Sequence, residues 1–132
     1  MKKGYKCILA IVNAGFSEVA MDAAKAAGAR GGTTFGARGT ASREAERIFN
    51  VTIQPEKEIV LILAKSVLAD DILKALYHAV GSTTKAQGIA FAVPVDEVAG
   101  LDERLDAKKA DKAHDKKTEA QDTASAPTAQ KS

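Results

Sequence analysis

GARGGTTFGARGTASREAERIFNVTIQPEKEIVLILAK, residues 28–65, carries most of the information about this chain's architecture. It opens with five glycines in twelve residues, passes through a charged segment and closes on unbroken strand formers. Glycine at this density implies sharp turns, or a backbone lying close against something bulky. The closing EIVLILA, residues 58–64, is apolar at both parities, so a strand there needs cover on both faces. Pro55, just ahead of it, belongs at an edge or a bend, where no ladder bond is needed.

Reading outward from this stretch gives the remaining elements. YKCILAIVNA, residues 5–14, is a first, buried strand by its continuous apolar run. Ser17 is placed to cap a helix over 18–27, with Phe16 stapled onto Met21 and Gly28 as the terminating C′ residue. RGGTTFGAR, 30–38, is a second strand thinned by glycine, and 49–65 form a long third strand. Ser66 is expected to cap a second helix over 67–80, whose Leu68, Ile72, Leu76, Ala79 and Val80 recur on one face before Gly81 ends it. GIAFAVPVDEV, 88–98, is the last strand. The order βαββαβ is the ferredoxin-like α+β pattern, in which two helices cover one face of a four-stranded antiparallel sheet. The other face is left bare, and self-association through it is the physical expectation.

Composition sets bounds. At 132 residues the chain is one domain, 1–101, followed by a charged low-complexity tail over 102–132. The tail has Leu105 as its one large apolar residue and balances seven acids with seven bases, so it is expected to be partly helical to about Lys117 and disordered beyond. A net charge of +2 is too small for a general nucleic-acid or membrane binder. The single cysteine, Cys7, excludes an internal disulfide and every multi-cysteine metal site, and is expected to be a small core residue. The apolar run 7–12 is short for a signal peptide, and no stretch approaches the ~20 apolar residues of a membrane span, so the chain reads as cytoplasmic. With no tryptophan, Phe16, Phe35, Phe49 and Phe91 are the larger pieces expected in the core.

Two glycine-flanked loops could carry chemistry. GARGT, 36–40, joins glycines able to form an anion nest to Arg38, a planar donor suited to phosphate oxygens. GSTTKAQG, 81–88, offers three hydroxyls, Lys85 and the Gln87 amide. The plain alternative makes Gly36 and Gly39 a bulge and Gly81 and Gly88 ordinary turns. Neither GxxxxGK[ST] nor GxGxxG occurs. His78 reads as a partly exposed helical histidine. Asp70 and Asp71 read as first-turn acids that favour the helix macrodipole. No Ser/His/Asp or Cys/His set, and no metal site, can be assembled outside the tail.

The βαββαβ order, GARGT ending the second strand, PEKEIVLIL at 55–63 and GIAFAVPVDEV at 88–98 together resemble the PII signal-transduction superfamily. The likeness is strongest to its PII-like branch associated with transport proteins, and it spans residues 5–101. It implies a homotrimer with sheets facing the three-fold axis and adenine-nucleotide sites, for ADP or ATP, in the clefts between subunits. By that resemblance Arg38, Gly39 and Thr40 stand at the base of a T-loop, with Ala41 and Ser42 just beyond. Lys85, Gln87 and Gly88 stand in the loop before the last strand, and Thr33 is where the family approaches the adenine.

The departures from the family pattern bear on the ligand. The T-loop, about 40–52, is short and has no tyrosine. Arg43 stands near the family's metal- and 2-oxoglutarate-holding glutamine and cannot coordinate a cation, which leaves a role for magnesium in doubt. The arginine pair after the last strand is reduced to Arg104. Arg43, Glu46, Ile48 and Phe49 form a charged loop with an apolar tip, a candidate surface for a partner; the resemblance points to a membrane transport protein, to which the chain would be recruited. The opposing reading is a small phosphate-ester or acyl-phosphate hydrolase on the same fold, with Arg38 gripping phosphate and Asn50 orienting water, although a catalytic acid or base is missing. An RNA-binding sheet would need aromatic platforms, and the last strand offers only Phe91. The trimeric copper-tolerance architecture would need a richer ligand set.

Overall fold

The computed structural model describes residues 1–40, 46–48 and 54–101. The tail and most of the 40–52 loop, with Ala41, Ser42, Arg43, Phe49 and Asn50, lie outside the described residues. The elements run β1 Tyr5–Asn13, α1 Ser17–Ala26, β2 Thr33–Arg38, β3 Glu56–Lys65, a 3-10 turn Ser66–Leu68, α2 Ala69–Val80 and β4 Ile89–Val95. All neighbouring strands are antiparallel in the order β2-β3-β1-β4, the ferredoxin-like arrangement. Among the described residues no helix is long and apolar enough to cross a membrane.

The period-2 alternation of the strands divides the sheet cleanly. Ile8, Ala10 and Val12 of β1 and Val60, Ile62 and Ala64 of β3 are buried in one cluster with Ala20 and Ala24 of α1 and Ile72, Leu76 and Val80 of α2. The expected face of α2 is thus the buried one, with Leu68 and Ala79 packed at its margin. The core is aliphatic, which corrects the expectation of phenylalanines within it. Phe35 and Phe91 remain 45% and 41% exposed on the opposite face, Phe16 only packs against the margin, and Phe49 is not described. Cys7 is also displaced from the core: its odd parity puts it, partly exposed, on the bare face.

That bare face is nearly all apolar. Register lines up Phe35, Ile59, Ile11 and Ile89 in one row across the sheet and Thr33, Leu61, Leu9 and Phe91 in the next. Leu63, Cys7 and Val93 make a third row. Ile89 is the most open of the large apolar residues here, at 62%, with Phe35, Val93 and Phe91 each above 40%.

The helix starts differ from expectation. Ser17 is the first helical residue rather than the cap; the cap position is Phe16, and the Ser17 hydroxyl donates instead to Glu58 Oε2 at 3.2 Å. Ser66 opens the 3-10 turn, and α2 begins only at Ala69, capped by Leu68 without a side-chain bond. Asp70 and Asp71 do occupy its first turn. Gly28 ends α1 in the left-handed region at φ +115°, the C′ role read from sequence. The strands are shorter than expected: β2 begins at Thr33, β3 at Glu56, and β4 ends at Val95, after which Val98 bridges back to Lys2.

Candidate functional site

The end of β1, the end of β2, the start of β3 and the start of β4 all meet at one end of the sheet. The described candidate ligand-site residues of the two glycine-flanked loops lie there, and Thr33, the remaining candidate, lies further along β2. The two loops nevertheless occupy opposite edges. Arg38 and Gly39 finish the edge strand β2, whereas Lys85, Gln87 and Gly88 lead into the other edge strand, β4. With β3 and β1 between them, three strand spacings separate the groups, roughly 14 Å. One chain therefore does not close both loops on a single phosphate group.

On the β2 edge the ladder from Thr33 to Arg38 is regular, so Gly36 and Gly39 make no bulge. Arg38 pairs across the strand with Glu56, its guanidinium 3.5 Å from the carboxylate, both side chains being more than half exposed. Such a pair is worth about 0–1 kcal/mol, so a ligand anion can displace Glu56 at little cost. The Gly39 N–H donates to the Pro55 carbonyl at 2.7 Å. A side chain at Gly39 would meet the Lys57 stem at 3.0 Å, so glycine there lets the lysine lie flat over the start of the 40–52 loop. Thr40 and Thr33 are exposed, the latter on the apolar face beside Leu61.

On the β4 edge the loop is tied down by its own groups. Thr84 Oγ1 donates to the Gly81 carbonyl and accepts from the Ala86 N–H, and the Gln87 N–H donates to the Thr84 carbonyl. Gln87 is the one non-glycine residue with positive φ, +45°, among the described residues. The Gly88 N–H donates to the Val80 carbonyl at 2.7 Å. The N–H groups of Gly39, one of the glycines of the expected nest, and of Gly88 are both taken by carbonyls. The cationic side chains these loops present are Arg38 and Lys85, both exposed. A cleft of about 520 Å³ between α2 and β4 adjoins this loop, lined by Leu73, Tyr77 and Ile89 among others; of the expected site residues only Gly88 borders it.

Sequence reasoning missed the residue that holds this end together. Asn13 is 8% exposed, a buried polar side chain at the end of β1. Its amide donates to the Lys85 carbonyl at 3.0 Å and lies 3.5 Å from Gln87 Oε1, while its carbonyl accepts from Lys57 Nζ at 2.6 Å. Its backbone N–H donates to the Ala86 carbonyl at 2.8 Å. Glu58, on the other face, accepts from the Gly15 N–H and the Ser17 hydroxyl and fixes the turn after β1. The available signal was a lone asparagine closing an apolar strand.

Of the expected partner surface, Ile48 is described and 74% exposed, and Glu46 is partly buried. His78 is exposed on α2, edge-on to Tyr77 at 5.4 Å. Among the described residues no group of acids, histidines or cysteines is placed to hold a metal ion.

No protein-family model matches the chain, and no curated protein matches it in sequence. Solved structures do. PII of Arabidopsis thaliana, bound to citrate, superposes with a TM-score of 0.57 at 18% identity, over 76% of this chain and 82% of that one. CPII, a nitrogen regulatory PII-like protein from Thiomonas intermedia K12 bound to ADP, AMP and bicarbonate, gives 0.55 at 16% identity, over 74% and 96%. The fold of this chain is that of the PII and PII-like proteins.

Proposed function

We propose that the chain is a PII-like signalling protein that binds adenine nucleotide between subunits and reports it through the 40–52 loop to a membrane transport protein. The observation that carries this reading is the split of the two candidate loops to opposite edges at one end of a sheet whose open face is apolar. Burying that face against further copies brings the Arg38 edge of one subunit towards the Lys85 edge of the next, so a phosphate chain is gripped by two chains. A homotrimer does this with three equivalent sites. CPII, with the same fold, holds ADP and AMP.

In this reading Thr33 faces the adenine, Arg38 and Lys85 carry the phosphate charge, and Gly39, Thr40, Ala41, Ser42, Gln87 and Gly88 shape the cleft. A ligand that orders the loop base differently for ADP and for ATP shifts the loop between partner-competent and incompetent states. Arg43, Glu46, Ile48 and Phe49 form the contact surface. Magnesium has no assigned ligand.

Calorimetry with AMP, ADP and ATP, paired with light scattering, tests the proposal. The expected result is a trimer that takes one nucleotide per chain with roughly micromolar affinity, about −8 kcal/mol. Binding by a one-chain species, or no binding at millimolar nucleotide, removes the reading. Steady release of phosphate from ATP or acetyl phosphate favours the hydrolase instead.

A further inference from the structure

Asn13 and Lys57 make a continuous chain of contacts between the two candidate loops within one subunit. Lys57 lies on the open face in register with both Ala37 of β2 and Asn13 of β1. Its stem runs over Gly39, where a Cβ would already meet Cε at 3.0 Å. Its ammonium ends 2.6 Å from Asn13 Oδ1, and among the described residues it has no carboxylate partner. The partner of this charge is a neutral amide and not a carboxylate, so the bond is charge-assisted from the lysine side alone. Asn13 then spends its amide protons on the Lys85 carbonyl and towards the Gln87 side chain. A buried amide satisfied on both ends has one orientation, and reversing it would set donor against donor and acceptor against acceptor.

We infer that Asn13 is a positioning residue for the Lys85–Gly88 loop, and that Lys57 ties this loop to Gly39 at the base of the T-loop. Asn13 bonds the carbonyl of Lys85 and, through its own N–H, that of Ala86, so it fixes the backbone from which the Lys85 side chain projects. It also faces Gln87 in its left-handed conformation, which an unsupported glutamine populates poorly. The pair thereby couples the phosphate-facing loop of one subunit to that subunit's own reporting loop. This inference rests on the nucleotide reading above for its ligand, though not for its geometry.

The test uses the full chain and two readouts. Asn13→Asp keeps the size and the acceptor facing Lys57 but removes both donor protons; Lys57→Met keeps the stem over Gly39 and removes the ammonium. In ligand-free protein, amide exchange at Gln87 and Gly88 is expected to rise roughly 5- to 10-fold in Asn13→Asp, the worth of one hydrogen bond, with Ala92 of β4 unchanged. Lys57→Met should raise exchange at Gly39 and Gln87 together. Titration with ADP then closes a cycle with Lys85→Ala. Asn13→Asp should weaken binding about 10-fold alone and less than about twofold in the Lys85→Ala background, because positioning has value only while the lysine is present.

Additive losses of affinity, or an unchanged exchange pattern at Gln87 and Gly88, overturn the inference. If the parent binds no nucleotide yet exchange changes as described, the nucleotide reading falls and the positioning role stands. Should Asn13→Asp fail to fold, Lys57→Met alone decides: exchange raised at Gly39 but not at Gln87 denies the coupling.

Discussion

Gly88→Ala and Gly36→Ala put opposite signs on two glycines that look alike in the sequence. A Cβ on Gly88 would lie well inside 3.0 Å of the Val80 carbonyl oxygen, and at 2.9 Å from Val12 Cγ1. The first neighbour is backbone and the second is fully buried, so neither gives way easily. Relief requires β4 to move off α2, which stretches the 2.7 Å bond from the Gly88 N–H to Val80. Overpacking costs about 1–3 kcal/mol and the weakened bond about 0.5–1.5. The smaller unfolded-state entropy of alanine returns about 0.4–1, leaving a loss near 2 kcal/mol. For a domain of this size that lowers Tm by roughly 8–16 °C. At Gly36 nothing lies within 4 Å of the added carbon and φ is not positive, so only the entropic gain remains and Tm should rise by a few degrees. Thermal denaturation at one fixed protomer concentration reads both, since association itself shifts Tm. A Gly88→Ala protein within 2 °C of the parent, or a Gly36→Ala protein that falls as far, would refute the close-approach argument.

Leu61→Asp places a carboxylate in the middle of the apolar face, between Thr33 and Leu9, and should yield a one-chain species in light scattering with the sheet still folded by circular dichroism; an unchanged assembly would move the interface elsewhere. Arg38→Ala removes a charge-assisted contact of ~1.5–3 kcal/mol and should weaken ADP binding roughly 10- to 150-fold in calorimetry. Glu56→Gln should tighten it a few-fold, because the competing carboxylate 3.5 Å from the guanidinium is gone; loss of affinity instead would mean that Glu56 orients Arg38 for the ligand. Deleting residues 42–47 should leave assembly and nucleotide affinity nearly intact and abolish capture of the proposed transport partner from a membrane extract, whereas loss of capture on removing 102–132 would transfer that role to the tail.

The fold was legible because its signals are local and mutually consistent. Period-2 strands, a helix with Ile72, Leu76 and Val80 on one face, and Gly28 at a helix end each point to one arrangement. What failed was anything dependent on which parity faces the helices. Hydrophobicity at both parities of the strands hides that choice, and it is Cys7, Phe35 and Phe91 that lie in the layer opposite to expectation. The helix caps failed for a related reason: Ser17 has a better partner in Glu58, forty-one positions away, than in its own helix.

The same non-locality explains the site. Arg38 and Lys85 were visible as cations in glycine-flanked loops, but their distance apart is a property of strand order, which puts β3 and β1 between them. In the proposed reading a single chain with that spacing carries two half-sites, and the residues spanning the gap become as informative as the half-sites themselves. At this end of the sheet the apolar rows of the open face give way to Ala37, Lys57 and Asn13. An asparagine buried at the end of an aliphatic strand keeps its place through hydrogen bonds at both ends of its amide, and the half-buried lysine beside it sets its charge on that amide. Their joint presence makes sense if the two edges have to move together. Asn13 holds the β4-edge loop and Lys57 lies against the β2-edge loop, so on the inference above a ligand bound at either edge would change the contacts available to the other.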